Sequence, residues 1–206
     1  MRLPLFILAD RQDITHFGIY LMKEKKQRLF FALAPDHSDE AFRRLTHLSA
    51  VCGQFGRPVS ADNLHITLAF LGMVTTEQAE AIVTATEQLR PPQAFSLQLN
   101  TLGYWKRSKV IWVAPEQPPA ALLTLAQQLK DLALSCGLEQ ESRPYRPHVT
   151  LAKSATRRPE PLPLFDKIDF HFNHFGLYIS ESVSHDGRQS VHYRSLGQWS
   201  LTSRYQ

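Results

Sequence analysis

Two segments of the chain repeat one pattern. Residues 64–71 read LHITLAFL and residues 147–153 read PHVTLAK, so His, a β-branched residue, Thr, Leu and Ala follow one another twice, with His65 and His148 83 positions apart. Successive side chains of a strand point to opposite faces. His65 and Thr67 therefore share one face and Ile66 and Leu68 the other; His148 and Thr150 are set against Val149 and Leu151 in the same way. Such a chain is constrained to build two strands, one from each half, that bury aliphatics on one side and offer an imidazole beside a hydroxyl on the other. A pseudo-twofold arrangement would bring the two His–Thr pairs across a cleft. A lone strand histidine is more often structural, and His16, His37, His47, His171, His174, His185 and His192 are read that way. Duplication in matching apolar context sets His65 and His148 apart.

The rest of the pattern alternates short strands and helices. Residues 28–34 (RLFFALA) read as a buried strand ended by Pro35, and 37–52 as a helix with Phe42, Leu45, Leu48 and Cys52 at helical spacing. Residues 53–63 are Gly-, Pro- and Asn-rich loop. The strand 64–71 closes at Gly72, and Thr75 with Gln78 forms a capping box that opens a helix through Leu89, ended by Pro91-Pro92. Alternation over 95–101 predicts a strand paired with 109–114 (KVIWVA) in a hairpin. Pro119 opens the longest helix, 119–136, stopped by Gly137. Strands are predicted at 145–152, 168–181 and 190–201, the last two flanking the Asp186-Gly187 turn signal. The order is β-α-β-α-β-β-α-β-β-β. Several links are too short for parallel crossovers, so the expected class is α+β: two largely antiparallel sheets flanked by helices around a central cleft.

A length of 206 residues suits one bilobal domain, here expected over 22–206. Residues 1–21 read as an extension upstream of the folded unit, poorly ordered or foreign to it, because Met22 begins the charged start MKEKKQRLFFALAP. The apolar run 3–9 is far short of the roughly 20 residues that span a bilayer, and no small-x-small cleavage site follows it. The net charge of +4 permits a phosphate-bearing partner without requiring one. Its placement says more. Five bases and no acid lie in 142–159, and Lys106, Arg107 and Lys109 form a second acid-free cluster. Cys52 and Cys136 fall at apolar helix positions and read as buried thiols of a reducing compartment, which points to the cytoplasm.

Two imidazoles on opposite sides of a substrate can act as general base and general acid near neutrality, and hydroxyls can donate to phosphate oxygens. This suits in-line displacement at a phosphodiester: one histidine deprotonates the nucleophile, and the other protonates the leaving oxygen. Arg146, two before His148, is the expected phosphate clamp; Arg157 and Arg158 read as solvated surface. No HExxH, CxxC, GxxxxGK or GxGxxG occurs, so no metal, ATP or dinucleotide site is legible and no cofactor is expected. His185-Asp186 imitates a metal pair, but Asp186 has a turn explanation.

The paired motifs His65-Ile66-Thr67-Leu68 and His148-Val149-Thr150-Leu151 resemble the two-histidine (2H) phosphoesterases, and within them the bacterial RNA 2′,3′-cyclic phosphodiesterases, also called 2′-5′ RNA ligases. The strings RLFFALAP (28–35), GRPVSADNLHITLAFLG (56–72) and RPYRPHVTLAK (143–153) carry the likeness. The resemblance implies a bilobal pseudo-twofold α+β fold, no metal, and hydrolysis of RNA ends bearing a 2′,3′-cyclic phosphate to 2′-phosphomonoesters. It implies His65 as proton donor, His148 as proton acceptor, and Thr67 and Thr150 on the phosphate; the residues themselves are symmetric and do not assign these roles. Phe70, Tyr104 and Lys109 are candidate base or ribose contacts. The expected partner is RNA, with no membrane and a monomeric chain. Reversible 2′-5′ ligation, another cyclic or 2′,5′-linked nucleotide as substrate, and a non-catalytic RNA-end binding module are the alternatives.

Overall fold

The computed structural model describes residues 26–185 and 188–203. The expectation for residues 1–21 and the Asp186-Gly187 turn fall outside them. The strands are β1 (Gln27–Leu33), β2 (Arg57–Pro58), β3 (Ile66–Val74), β4 (Phe95–Leu99), β5 (Thr101–Trp105), β6 (Val110–Ala114), β7 (Val149–Lys153), β8 (Ile168–Phe172), β9 (His174–His185) and β10 (Arg188–Ser200). The helices are α1 (Glu40–Cys52), α2 (Thr76–Glu87) and α3 (Ala120–Ser135). Eight strands form one sheet in the order β10-β9-β1-β3-β7-β6-β5, with β2 added beside β7; β4 and β8 make a separate pair. Every ladder between named strands is antiparallel. The α+β class expected from the sequence therefore stands.

The large sheet consists of two four-stranded halves, β10-β9-β1-β3 and β5-β6-β7-β2, that meet through a single residue pair, Ile66 with Val149. These are the β-branched residues of the two repeats, so the pairing brings the motifs together head to head. The helices lie crosswise to this division. α1, from the first half of the chain, packs on β7 and β8, and α3, from the second half, packs on β3. Leu29, Phe31, Leu33, Ile66, Leu68, Ile111, Val113, Val149 and Leu151 face these helices and belong to one core with Phe42, Leu45, Leu122, Leu125 and Leu129. Burying that apolar surface is what holds the halves together, since one ladder pair could not.

Several boundaries differ from the sequence expectation for local reasons. Gly72 does not close β3. It sits inside the strand at φ 74°, beside a register shift between Leu29 and Phe30 of β1, where a left-handed residue keeps the ladder continuous. The expected strand 95–101 breaks at Asn100, whose side-chain oxygen accepts from Glu116 N–H at 2.8 Å. β4 consequently pairs with β8, and only β5 pairs with β6 in the hairpin. The run 168–181 breaks likewise at Asn173, feeding β8 to the small sheet and β9 to the large one. Strand 145–152 begins only at Val149, so Tyr145, Arg146 and His148 precede the ladder. The Thr75–Gln78 capping box is present in full. Cys52 is buried, but Cys136 lies half-buried at the C-cap of α3 rather than in its core stripe, and both thiols are free.

Candidate active site

Each repeat is built in the same way. The His65 Nδ1–H donates to the carbonyl of Asn63 at 2.7 Å, and the His148 Nδ1–H donates to the carbonyl of Arg146 at 2.8 Å. A carbonyl oxygen can only accept, so Nδ1 carries the proton in both rings, and in the neutral imidazoles Nε2 is the basic nitrogen. Each strand then bulges at the leucine after its threonine. In β3 the register jumps between Thr67 (opposite Ala32) and Ala69 (opposite Phe31), leaving Leu68 extra. In β7 it jumps between Thr150 (opposite Trp112) and Ala152 (opposite Ile111), leaving Leu151 extra. A bulge shifts the alternation by one. Phe70 rather than Ala69 joins the face of His65 and Thr67, and Lys153 rather than Ala152 joins the face of His148 and Thr150.

The surroundings of the two rings differ. His65 Nε2 lies 3.0 Å from Thr67 Oγ1, with the hydroxyl donating to the neutral ring. Phe30 and Tyr193 pack on it, with centroids at 5.0 and 5.1 Å. Asn63 secures the main chain beneath it by donating from Nδ2 to the Val191 carbonyl of β10 at 2.6 Å. Burial pushes the His65 pKa down to about 4; the Asn63 carbonyl works against that, and positive charge on Lys153 and His148 adds to it. His148 has the edge of Trp105 against it at 4.5 Å, and Trp105 in turn packs on Trp112 at 5.3 Å. Trp112 lies over Gly103, where any Cβ would fall 2.1 Å from the indole. Burial also lowers the His148 pKa, opposed by the Arg146 carbonyl.

A positively charged group sits on the same sheet face. Arg57 pairs directly with Lys153 across the β2–β7 ladder. Burial lowers the Lys153 pKa, and the charges of Arg57 and Arg28 lower it further. Arg28 stands over the Phe70 ring at 4.9 Å. An anion in front of the two histidines would therefore meet several cations. Among the described residues no group of three His, Cys, Asp or Glu side chains gathers at metal-binding distance.

Of the remaining candidates from the sequence, Phe70, Tyr104 and Arg146, but not Lys109, lie on a groove of about 1620 Å³ that opens between β3, α3, the β5–β6 turn and segment 140–146. Thr67, Phe70, Tyr104, Arg146 and His148 line it. Arg146 is exposed, lines the groove, and gives its carbonyl to His148. Tyr104 pairs with the buried Ile111 and packs partly against the core, whereas its neighbour Trp105 carries the contact to His148. Lys109 sits at the hairpin turn with φ 54°, and its carbonyl accepts from Ala155 N–H at 2.9 Å. Arg158 pairs with Glu160 at 3.6 Å on the surface, as expected, while Arg157 lies over the Phe55 ring at 5.6 Å. Sequence reading missed Trp105, Arg28, Arg57 and Asn63 as site residues. The available signal was a tryptophan directly preceding the basic run Lys106-Arg107.

A family model described as the 2'-5' RNA ligase superfamily matches residues 34–182. The RNA 2',3'-cyclic phosphodiesterase of Escherichia coli (strain K12) is 38% identical over 178 residues, covering 85% of this chain and 97% of that protein. The crystal structure of E. coli LigT in apo form superposes with a TM-score of 0.74 at 38% identity, over 87% of this chain and 99% of that one. LigT complexed with 3'-AMP gives a TM-score of 0.73 at 36% identity, over 86% and 99%.

Proposed function

The chain belongs to the 2'-5' RNA ligase superfamily, and from that premise we propose that it is a hydrolase that opens 2′,3′-cyclic phosphodiester ends of RNA to 2′-phosphomonoesters. The observation that carries the mechanism is the Ile66–Val149 pair, which sets two His-x-Thr-Leu motifs head to head, each ring with Nδ1–H fixed on a main-chain carbonyl. The paired histidines support general acid–base displacement at phosphorus. His148 Nε2 takes a proton from water as the water oxygen bonds to phosphorus. The bond from phosphorus to the 3′ oxygen breaks, and His65 donates its Nε2 proton to that oxygen, leaving the phosphate on the 2′ oxygen. His148 is left protonated and His65 neutral, and solvent exchange resets both.

In the free protein both rings are neutral near pH 7, since burial holds both pKa values below 6.5. That suits His148 as base. His65 acquires its proton when the phosphodiester anion binds, because a nearby negative charge favours the imidazolium. The hydroxyls of Thr67 and Thr150 donate to the non-bridging oxygens, and Arg146 supplies a charged clamp. Phe70, Trp105, Tyr104 and Lys109 serve the terminal nucleoside, with Trp105 the best placed because its ring touches His148. The free thiols of Cys52 and Cys136 fit a reducing compartment, which supports the cytoplasm as the place where the chain meets its RNA substrate. Among the described residues no helix is long and apolar enough to cross a membrane.

The test is incubation with an RNA ending in a 2′,3′-cyclic phosphate in the presence of EDTA. The expected product carries a 2′-phosphate, and either His65→Ala or His148→Ala lowers the activity by orders of magnitude. A 3′-phosphate product, or activity that depends on a divalent ion, would overturn the mechanism. Binding of the cyclic end with no turnover would favour an RNA-end binding module instead.

A further inference from the structure

The two repeats are alike up to their bulges but differ along the edges that follow. Beyond Val149 the edge of β7 is closed by β2, through Arg57 with Lys153 and Pro58 with Ala152, and by Val59 N–H donating to the Leu151 carbonyl at 2.8 Å. Gly56 permits that close approach, since a Cβ there would lie 2.6 Å from the Lys153 carbonyl. Beyond Ile66 no strand among the described residues pairs with the corresponding edge of β3. Two side chains hold it instead: Tyr145 Oη–H donates to the Thr67 carbonyl at 2.9 Å, and Gln140 Nε2–H to the Phe70 carbonyl at 3.1 Å. The groove runs along this edge, with residues 67–70 and 140–146 in its walls.

Its size and chemistry exceed what a terminal nucleotide needs. About 1620 Å³ is larger than the roughly 300–1,000 Å³ of ordinary small-ligand pockets. Its walls carry Lys106, Arg107 and Lys130, none of which forms an ion pair among the described residues. Among the described residues the one acid on the walls, Glu141, is held by Arg143 at 2.8 Å. Between the cations stand exposed apolar surfaces, Phe70 (44% exposed) and Leu123 (41%). Cations that track a backbone, interleaved with an aromatic platform, are the means by which proteins hold single-stranded nucleic acid without reading sequence.

Resting on the reading of the chain as an RNA-end hydrolase, we propose that this groove holds the single-stranded RNA body upstream of the cyclic phosphate, with Lys106, Arg107 and Lys130 on its phosphates. The RNA leaves the catalytic pair on the β3 side because β2 closes the β7 side. Length preference is thus built into the difference between the two edges: a longer RNA gains contacts that a mononucleotide cannot reach.

The experiment compares a nucleoside 2′,3′-cyclic phosphate with a single-stranded RNA of about six nucleotides bearing the same end. The enzymes are wild type and the triple variant Lys106→Glu, Arg107→Glu, Lys130→Glu. The expected result is that kcat/KM for the oligonucleotide falls at least about tenfold in the variant, through KM, and that its log–log salt dependence flattens by about 2, at roughly 0.7 per lost phosphate contact. Mononucleotide turnover stays within about twofold of wild type, which also shows that the variant is folded. Equal losses on both substrates, or none on the oligonucleotide, would overturn the groove assignment while leaving the hydrolase reading intact. Hydrolysis of neither substrate by wild type would remove that reading and the groove assignment with it.

Discussion

The repeat around His65 and the repeat around His148 start from nearly the same five residues and end in different environments. Both rings donate Nδ1–H to the carbonyl two residues earlier, and both strands bulge at the following leucine. The His65 ring, however, is enclosed by Phe30 and Tyr193 and touches its own threonine, while His148 meets the edge of Trp105 and makes no such threonine bond. The lesson is that a duplicated motif fixes the orientation of two groups, and the non-repeated parts of the sheet set their proton affinities. Burial holds both rings neutral in the free protein, and the charges of Lys153 and His148 add to this at His65, so on the proposed mechanism the His65 proton arrives with the bound phosphodiester.

The largest expected effect tests whether the two halves act as one unit. His65→Ala and His148→Ala should each lower kcat by about 10²- to 10⁴-fold, and the double variant should be little worse than either single one. Single-turnover hydrolysis of an RNA cyclic end measures this. Effects that multiply would mean that the two halves work independently.

A smaller effect separates the threonines. Thr67→Val and Thr150→Val each remove one donor to a charged phosphate, which costs about 1.5–3 kcal/mol, or roughly 10- to 100-fold in kcat/KM. Only Thr67→Val should also move the His65 limb of the pH profile, because only Thr67 bonds to its histidine. Identical shifts in both variants would erase the asymmetry.

The last difference is read in stability rather than in rate. His65 has a folded pKa of about 4 against an ordinary 6.5, so the unfolded chain binds more protons between those values. Its contribution is fully present above pH 6.5 and is lost as the pH falls towards 4, by up to about 3 kcal/mol. Denaturant unfolding of wild type and His65→Asn should show a steeper loss for wild type across that window, while His148→Asn, nearer its ordinary pKa, changes the slope less. Parallel curves for wild type and His65→Asn would contradict the burial assigned to this ring.

Much of the site was legible because its signal is local. The histidines and threonines are two apart in apolar runs, and period-two alternation places them on one face without knowledge of the fold. Alternation failed where the backbone leaves it. It places Ala69 and Ala152 beside the threonines, whereas the bulges at Leu68 and Leu151 put Phe70 and Lys153 there. Asn100 and Asn173 split two strands that read as continuous, because the preference for either sheet comes from partners distant in sequence. Arg28 and Arg57 join the site only through cross-strand pairing, which no spacing within one segment encodes. Asn63 was hidden for another reason: it acts through its main-chain carbonyl, which every residue has.

The most direct test is the pH profile of kcat/KM on an RNA 2′,3′-cyclic phosphate for wild type, His65→Ala and His148→Ala. Unequal, depressed histidines predict a bell for wild type with its maximum below pH 6.5. They further predict loss of the descending limb in His65→Ala and of the ascending limb in His148→Ala. Loss of the same limb in both variants, or the reverse assignment, would contradict the account.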